Sequence, residues 1–374
     1  ANNIAVGTAT LDANTTGSNN TGLGYAALGA NTTSNYQVAI GTNALTASQT
    51  AGVNADSYNV AVGYDAAKTL TTGVRNTAIG GLAMQSGAVT GNDNTALGAF
   101  SLRVLTTGTE NVALGAYSLD ANTTGANNTA NGYSALTANT TGTGNVAVGR
   151  KAMLDHTTGD YNTAIGISAL ENNTTASGNT SVGKSSLKTN TTGTENTAVG
   201  SEALNANTTA SYNTAVGNNA LLSNTTGVRN TAIGHSALDE LTTGGDNIGI
   251  GYFIGTHDLE MTTGIKNILI GNYTDTSAAD SSNQIVMGFN TIGNANSSFV
   301  FGNATNDSAI EFGATSITAP SDERMKEEIT TATAGLSFIN DLRPVTYKWK
   351  QKKDIPSELK THEAGSTERF KNDF

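Results

Sequence analysis

The stretch "NTAVGNNALLSNTTGVRNTAIG", residues 213–234, decides the fold, because its opening "NTAVG" returns 17 positions later as "NTAIG". The glycine that closes each such segment serves as a marker of the repeat. Ten consecutive markers, from Gly98 to Gly251, are spaced 17 residues apart without exception. A fixed period predicts a stack of repeated units, although Gly, Asn and Thr would otherwise suggest disorder. The markers are Gly7, Gly24, Gly41, Gly63, Gly80, Gly98, Gly115, Gly132, Gly149, Gly166, Gly183, Gly200, Gly217, Gly234, Gly251, Gly271, Gly288 and Gly302.

The repeated unit reads G-x-x-A-L-x-x-N-T-T-G-x-x-N-T-A-[IV], which predicts two short strands separated by a turn. "NTAIG" alternates β-branched and small residues as a two-faced strand does, and "xAL" predicts a second strand. In "NTTG", the glycine is expected at positive φ and the asparagine is expected to bond the local backbone. The fold class is therefore all-β: a parallel β-solenoid, or β-roll, of about 18 coils over residues 1–302, on the order of 85 Å long.

Each coil supplies few apolar side chains, and two of these are Ala, so a single rod would have a thin core. Packing several rods together would remedy this, and rows of Ala and Gly would let backbones approach closely. We therefore expect a homotrimer. The unit also resembles the head repeat of trimeric autotransporter adhesins, whose "N-x-x-A-[IV]-G" coils form a parallel β-roll in a tight homotrimer; the turn of the present unit is longer.

The composition changes near residue 320. Residues 321–374 hold ten basic and ten acidic side chains, so the net charge of −11 belongs to the residues before them. The prolines Pro320, Pro344 and Pro356 and the single Trp349 also lie at or beyond this point. The sequence predicts a shaft over 1–302, a connector over 303–320, and a short α+β C-terminal segment over 321–374.

The segments "GATSITAPSDERMKEEI" and "GLSFINDLRPVTYKWK" resemble the start of the intramolecular chaperone domain of phage endosialidases and many phage tail fibres. That domain begins S-D-x-R-[LM]-K-x-x-I and continues L-R-P-V-x-Y-x-W, and the later part of it is absent here. The matching residues are Ser321, Asp322, Arg324, Met325, Lys326, Ile329, Leu342, Arg343, Pro344, Val345, Tyr347 and Trp349.

The resemblance implies that the domain trimerises the nascent chains, guides folding of the fibre and then cuts itself off. The cut would fall between Pro320 and Ser321, with Ser321 as the nucleophile and Lys326 as its base. A lysine can take the hydroxyl proton where burial lowers its pKa. The residues by themselves favour Ser321 as the N-cap of a helix that begins at Asp322, and both roles can coexist. Any enzymatic activity is then at most this serine autoproteolysis, and the shaft is not expected to be an enzyme.

Other features of the sequence argue against several classes of function. The acidic shaft lacks the Lys/Arg clusters that bind phosphate, so we expect no nucleic acid partner. No apolar run approaches the length that crosses a bilayer, and the absence of Cys excludes thiolate metal sites. The histidines His156, His235, His257 and His362 follow no ligand spacing, so neither metal nor cofactor is expected. Because the chain starts at Ala1 within a repeat, we expect a fragment or a processed product.

Two further patterns have a structural and a functional interpretation. The "NTT" triplets match the N-glycosylation sequon, but their fixed place in the unit favours a structural turn. Tyr36, Tyr58, Tyr161 and Tyr212 all precede the strand Asn and lie along one edge of the rod, where they form plain surface or a row that stacks on sugars. The same position holds Arg75, Arg229, Glu110 and Glu195, which favours a solvated variable site. The triplets begin at Asn14, Asn31, Asn122, Asn139, Asn190, Asn207 and Asn224.

These observations predict a structural and adhesive trimeric fibre of a phage or phage-like particle, located in the virion or outside the cell. Its partners would be two further copies of itself and a glycan or protein receptor on the host surface. A bacterial trimeric surface adhesin is the alternative, which the repeat supports equally well and the chaperone-like tail disfavours. An ice-binding solenoid would need Thr-x-Thr on a flat strand, whereas the Thr pair lies in the turn. A glycosidase site would need a carboxylate pair that the repeats do not provide.

Overall fold

A computed structural model of the chain describes residues 2–48, 56–305 and 307–314. The chain divides into two units, Ala1–Pro320 and Ser321–Phe374, and every described residue belongs to the first. The described strands are short, of three to five residues each. They are β1 Ile4–Val6, β2 Thr21–Leu23, β3 Val38–Ile40, β4 Val60–Val62, β5 Thr77–Ile79, β6 Thr95–Leu97, β7 Val112–Leu114, β8 Thr129–Asn131, β9 Val146–Val148, β10 Thr163–Ile165, β11 Thr180–Val182, β12 Thr197–Val199, β13 Thr214–Val216, β14 Thr231–Ile233, β15 Ile248–Ile250, β16 Ile268–Asn272, β17 Ile285–Phe289, β18 Ser298–Gly302 and β19 Ser308–Glu311.

The first 18 strands form one parallel sheet in which each strand pairs with the equivalent strand of the next repeat. Thr197 pairs with Thr214, and Thr214 pairs with Thr231, so the register advances by one repeat at each step. β19 returns antiparallel to β18 and ends the stack. None of the described residues lies in a helix. The fold is thus the predicted all-β parallel β-solenoid, with about 17 turns between the first strand and the eighteenth.

The core of one coil consists of three small or medium apolar side chains. In the coil that begins with β13, Ala215 points inward from the strand, and Ala220 and Leu221 are also fully buried. Val216 lies on the opposite face of the strand and is 37% exposed. Because successive strand residues alternate between faces, most coils place one alanine inside and one branched residue outside.

The prediction that "xAL" forms a second strand is wrong. Residues 218–223 form turns, and Asn219 and Leu221 both have positive φ, at 59° and 52°. This conformation costs energy for residues other than glycine. It persists because the amide of Leu221 donates to the carbonyl of Ala237 at 3.0 Å, and its side chain fills the core. Tertiary packing and bonding between coils therefore override the strand propensity of this segment.

The predicted role of the turn glycine is also wrong. Positive φ occurs at the marker Gly217, at 138°, whereas Gly227 of "NTTG" is not among the residues with positive φ. Gly227 is required for space, because a Cβ atom there would collide with the carbonyl of Gly244 in the next coil and with the side chain of Asn224. One glycine in the unit thus provides the turn conformation and the other permits close stacking.

A column of buried amides, the strand asparagine column, runs through the stack immediately before the strands. The backbone N–H of Asn213 donates to Oδ1 of Asn196 at 3.0 Å, and Nδ2 of Asn213 donates to the carbonyl of Gly227 at 2.9 Å. Each amide thereby bonds a neighbouring coil and closes its own turn. The column comprises Asn3, Asn20, Gln37, Asn59, Asn76, Asn94, Asn111, Asn128, Asn145, Asn162, Asn179, Asn196, Asn213, Asn230, Asn247, Asn267 and Gln284.

A second column, the turn asparagine column, lies at the Asn of "NTTG". Nδ2 of Asn224 donates to the carbonyl of Gly227 at 2.9 Å, which confirms the predicted local bond, and to Oδ1 of Asn207 in the preceding coil at 3.3 Å. The interior of the solenoid therefore combines apolar side chains with buried amides that form hydrogen bonds between coils. This column comprises Asn14, Asn31, Asn122, Asn139, His156, Asn173, Asn190, Asn207 and Asn224.

Candidate functional site

The third residue of β1 to β17 and Phe301 of β18 form a line of outward-facing side chains along the sheet. None of these side chains is buried; Val6 is 55% exposed and Ile165 is 41% exposed. All are apolar except Asn131. We call this line the apolar strip: Val6, Leu23, Ile40, Val62, Ile79, Leu97, Leu114, Asn131, Val148, Ile165, Val182, Val199, Val216, Ile233, Ile250, Ile270, Met287 and Phe301. A long apolar surface of this kind is typical of a protein contact.

The rows of Ala and Gly, which the sequence indicated for contact between chains, instead pack within one chain. The strand alanines, such as Ala164 and Ala198, are fully buried within their own chain. The marker Gly183 faces the backbone of Gly200 in the next coil. The rows of Ala and Gly therefore permit close packing of coils within one chain, and the larger branched side chains form the free surface.

The four tyrosines of the predicted edge lie at the residue before the strand asparagine column. Tyr36 and Tyr58 stack, with ring centroids 5.2 Å apart and an interplanar angle of 11°. Tyr161 and Tyr212 are exposed and are separated from each other by two coils that carry Gly178 and Glu195 at this position. The tyrosines therefore form one pair and two isolated rings, and do not form a continuous row.

Charged residues at the same edge position pair between adjacent coils. Arg75 contacts Asp93 through two hydrogen bonds of 2.6 and 2.7 Å, and Arg229 contacts Asp246 through two bonds of 2.6 and 2.9 Å. In each pair, hydrogen bonding to the guanidinium lowers the pKa of the aspartate and raises that of the arginine. These pairs are exposed and contribute little stability, so the edge is best described as a variable, solvated surface.

An aromatic cluster interrupts the repeat near its C-terminal end. Tyr252 and Tyr273 meet edge to face, with centroids 5.4 Å apart and an interplanar angle of 87°. Tyr273 also meets Phe289 edge to face, with centroids 5.9 Å apart and an interplanar angle of 88°. The cluster coincides with the change of marker spacing from 17 to 20 after Gly251, which is the signal in the sequence that marks this region. Its members are His235, Tyr252, Phe253, His257, Tyr273 and Phe289.

The extra residues after Gly251 form the inserted loop, residues 256–260, which lies beside the aromatic cluster. The backbone N–H groups of His257 and Asp258 donate to the two carboxylate oxygens of Asp275, at 3.2 and 2.8 Å. Asp275 is fully buried and belongs to the next coil. Its carboxylate therefore anchors the loop, which accounts for a buried charge at this position.

His257, Asp258 and Asp275 also bring one ligand atom each within 4.8 Å of one another, a proximity that the spacing of the histidines did not predict. Nδ1 of His257 lies 3.2 Å from Oδ1 of Asp258, and Asp275 already accepts two backbone hydrogen bonds. The existing bonds explain the arrangement as a loop anchor, and we assign no metal to it.

His156 occupies the turn asparagine column and is fully buried. Its Nδ1 lies 2.8 Å from Nδ2 of Asn173, a donor, and its Nε2 lies 2.8 Å from the carbonyl of Gly159. These partners require a neutral ring that carries its proton on Nε2. Burial lowers the pKa of His156, although the Gly159 carbonyl and the nearby Asp160 charge oppose this shift. His156 therefore takes the place of the turn Asn in its coil.

The sequon asparagines are structural. Asn122, Asn139 and Asn190 are fully buried, and their Nδ2 atoms donate to the carbonyls of Gly125, Gly142 and Gly193. A glycan on any of these nitrogens would break the column, so they are not modification sites in the folded shaft.

Ser321 and Lys326, the residues predicted to carry self-cleavage, lie outside the described residues, and their roles remain predictions. The described residues show that the chain is a repeat protein with a parallel β-solenoid fold. Residues 321–367 match the protein family described as the chaperone of endosialidase. The C-terminal segment thus matches this family over residues 321–367, as the motifs indicated.

No curated protein matches the chain. Within the described residues there is also no helix with the length and apolar character needed to cross a bilayer.

Proposed function

We propose that the chain forms the shaft and the assembly segment of a homotrimeric attachment fibre of a phage or phage-like particle. The observation that carries this proposal is the succession of a β-solenoid and, from residue 321, a match to the chaperone of endosialidase family. A solenoid shaft has unpaired strand edges at its ends and a thin core in each coil, so it benefits from a device that brings chains together during folding. The fibre would belong to the virion and bind a receptor on the host surface.

The apolar strip supports association of three chains. It presents branched side chains over the whole described stack, and only Asn131 interrupts it. Burying this strip against two other copies would supply the apolar area that the thin core of one coil lacks. The small interior residues do not serve this purpose, because they already pack within one chain.

Light scattering on the complete protein tests assembly, with Val216→Asp as the informative variant. Val216 lies in the apolar strip, so we expect the charge to abolish trimers while the coil, whose interior is unchanged, keeps its circular dichroism spectrum. Asn218→Asp is the matched control, because Asn218 is exposed in the same coil and lies outside the strip. A wild-type protein that is a folded monomer would remove the trimer from the proposal.

The assembly segment is proposed to cut the bond between Pro320 and Ser321 in the complete protein. Ser321→Ala removes the nucleophile and Lys326→Ala removes the proposed base, so we expect both variants to remain uncut and to form trimers. Asp322→Ala is the control for an N-cap role, since it lowers helix stability by only about 0.3–1 kcal/mol. Denaturing gels that show equal cutting of wild type and Ser321→Ala would contradict self-cleavage.

A bacterial trimeric surface adhesin remains the second candidate, because the solenoid suits either kind of fibre. The chaperone of endosialidase match favours the phage fibre.

A further inference from the structure

The C-terminal part of the shaft carries a surface unlike that of the regular coils. Between Gly98 and Gly251 the coils repeat without insertion, whereas the next coil gains the inserted loop and the aromatic cluster. In stacked-repeat proteins, insertions of this kind lie on one face, which is often the binding face. The inserted loop and the aromatic cluster therefore form a candidate binding surface.

Two rings of the aromatic cluster have free surface. Tyr252 is 41% exposed and Phe289 is 55% exposed, and both stand nearly perpendicular to Tyr273, which is half-buried between them. Phe253 lies behind, parallel to Tyr273 within 14°. Packing of the rings against one another fixes their orientation, so a ligand would meet a preformed surface.

Polar side chains of the inserted loop lie next to the rings of the aromatic cluster. His257 contacts Tyr273 edge to face at 4.7 Å, and Asp275 holds the loop that carries His257 and Asp258. The exposed side chains of Asp258 and His257 offer hydrogen-bond acceptors and donors next to the aromatic faces. Apolar rings combined with a few fixed polar groups are typical of small-molecule sites.

The negative charge near the inserted loop restricts the charge of the ligand. Glu240 has a raised pKa because of burial and because of the nearby charges of Asp239 and Glu260. Glu260 belongs to the inserted loop, as does Asp258, so several carboxylates share this region. Such a region repels anions, which disfavours phosphate, sialic acid and uronic acid groups.

We infer that the aromatic cluster binds a neutral saccharide. A pyranose has apolar C–H faces that stack on Tyr252 and Phe289, and hydroxyl groups that donate to Asp258 and accept from His257. This inference rests on the proposed attachment function and gives it a site and a ligand class.

A second copy of the chain is the other possible occupant, and continuity argues against it. The position of Tyr252 in the coil is the residue after the marker glycine, where the coils from 150 to 218 carry Arg150, Ile167, Lys184, Ser201 and Asn218. An interface between parallel rods would need an apolar surface along its length, as the apolar strip provides. This column is mixed, with Tyr64 and Ile167 among polar residues, so it provides no continuous apolar surface, and a local group of packed rings suits a small ligand.

Saturation-transfer NMR on the complete protein tests the site, with maltohexaose, cellohexaose and mannohexaose as neutral probes and oligogalacturonate as the anionic probe. We expect at least one neutral probe to bind, with Kd on the order of 1 mM for a single site, and the anionic probe to give no signal. Tyr252→Ala and Phe289→Ala should each weaken binding about tenfold or more. Tyr64→Ala is the matched control, since Tyr64 is 59% exposed at the same coil position and lies far from the loop.

Each outcome distinguishes this site from the proposed function. A trimer that self-cleaves but binds no neutral probe, or binds it equally in Tyr252→Ala and Tyr64→Ala, overturns the site and leaves the fibre proposal intact. A monomeric, uncut chain that binds a neutral probe through Tyr252 overturns the fibre proposal and leaves the site intact. Loss of trimers in Tyr252→Ala would show that a second copy covers the cluster, which also overturns the inference.

Discussion

The regular coils from Gly98 to Gly251 and the coils from Gly251 to Gly302 use the same parallel sheet in different ways. The regular coils have three-residue strands such as β10 and continue the strand asparagine column from one coil to the next. The later coils have five-residue strands, β16 to β18, and larger apolar side chains in the strand interior, where Leu269 and Val286 take the place of Ala. The inserted loop and the aromatic cluster occur in these later coils.

The difference shows that two requirements, length and a specific surface, are met by different parts of the shaft. A regular coil bonds its amides to the coils on either side, so each coil depends on an aligned neighbour and leaves little freedom for an insertion. In the later coils, longer strands and larger apolar side chains replace part of this bonding, and the surface can carry a loop. The repeat provides length and the departure from the repeat provides a specific surface.

Deleting part of the regular region should have the largest effect. Removing residues 183–190, eight residues, would misalign every later coil with its neighbour, bring unlike residues together in both asparagine columns and unfold the shaft. Removing residues 183–199, one whole unit, should leave a folded rod that is shorter by one strand spacing, about 4.8 Å. Circular dichroism and thermal melting compare the two. Equal tolerance of both deletions would contradict the dependence of each coil on an aligned neighbour.

The sequence predicted the coil but not all of its parts. The fixed period and the alternation in "NTAIG" were sufficient to predict parallel strands, because strand alternation is a local property. The turn at Leu221 could not be predicted locally, since its positive φ depends on a hydrogen bond to Ala237 in the next coil. The role of Gly227 depends in the same way on the approach of Gly244.

The candidate surfaces were predicted unevenly for the same reason. The motifs around Ser321 indicated the chaperone domain, because a family pattern is carried by the residue types themselves. The aromatic cluster required knowledge that Tyr252, Tyr273 and Phe289, which lie far apart in the chain, are brought together by successive coils. Sequence reasoning instead selected tyrosines at another position, of which only Tyr36 and Tyr58 meet.

Substitutions in the strand asparagine column should show a smaller, graded effect. Oδ1 of Asn162 accepts from the backbone N–H and from Nδ2 of Asn179, at 3.0 and 3.2 Å. Asn162→Leu leaves that buried N–H unpaired and removes further bonds, so we expect a loss of about 3 kcal/mol in the free energy of unfolding. Gln284 bonds Ser277, which is partly buried, so Gln284→Leu should cost only about 1 kcal/mol.

Denaturant unfolding measures both losses, and Asn218→Leu on the exposed surface is the control, expected within about 0.5 kcal/mol of wild type. An equal cost for Asn162→Leu and Gln284→Leu would show that the two regions rely on buried amides to the same extent.

The smallest effect is expected where a regular coil departs from its own pattern, at His156. Because His156 replaces Asn in the turn asparagine column, Oδ1 of Asn139 is buried without a hydrogen-bond partner among the described residues. Nδ2 of Asn224 shows the bond that an Asn would make to the preceding coil. His156→Asn should restore this bond and raise the free energy of unfolding by about 1 kcal/mol at neutral pH.

The same substitution should also reduce the pH dependence of stability. Burial lowers the pKa of His156 below its ordinary value of 6.5, so the unfolded chain binds a proton that the folded chain refuses. The contribution of His156 is therefore complete above about pH 6.5 and is lost as the pH falls from there toward the lower pKa of the folded state. Melting at pH 7.5 and at pH 5.0 should show a larger drop for wild type than for His156→Asn, whereas His235→Asn, at an exposed position, should follow wild type. If His156→Asn and wild type lose equal stability between these two pH values, the protonation of His156 has no part in the acid sensitivity of the regular coils, and their amide columns tolerate a charged ring.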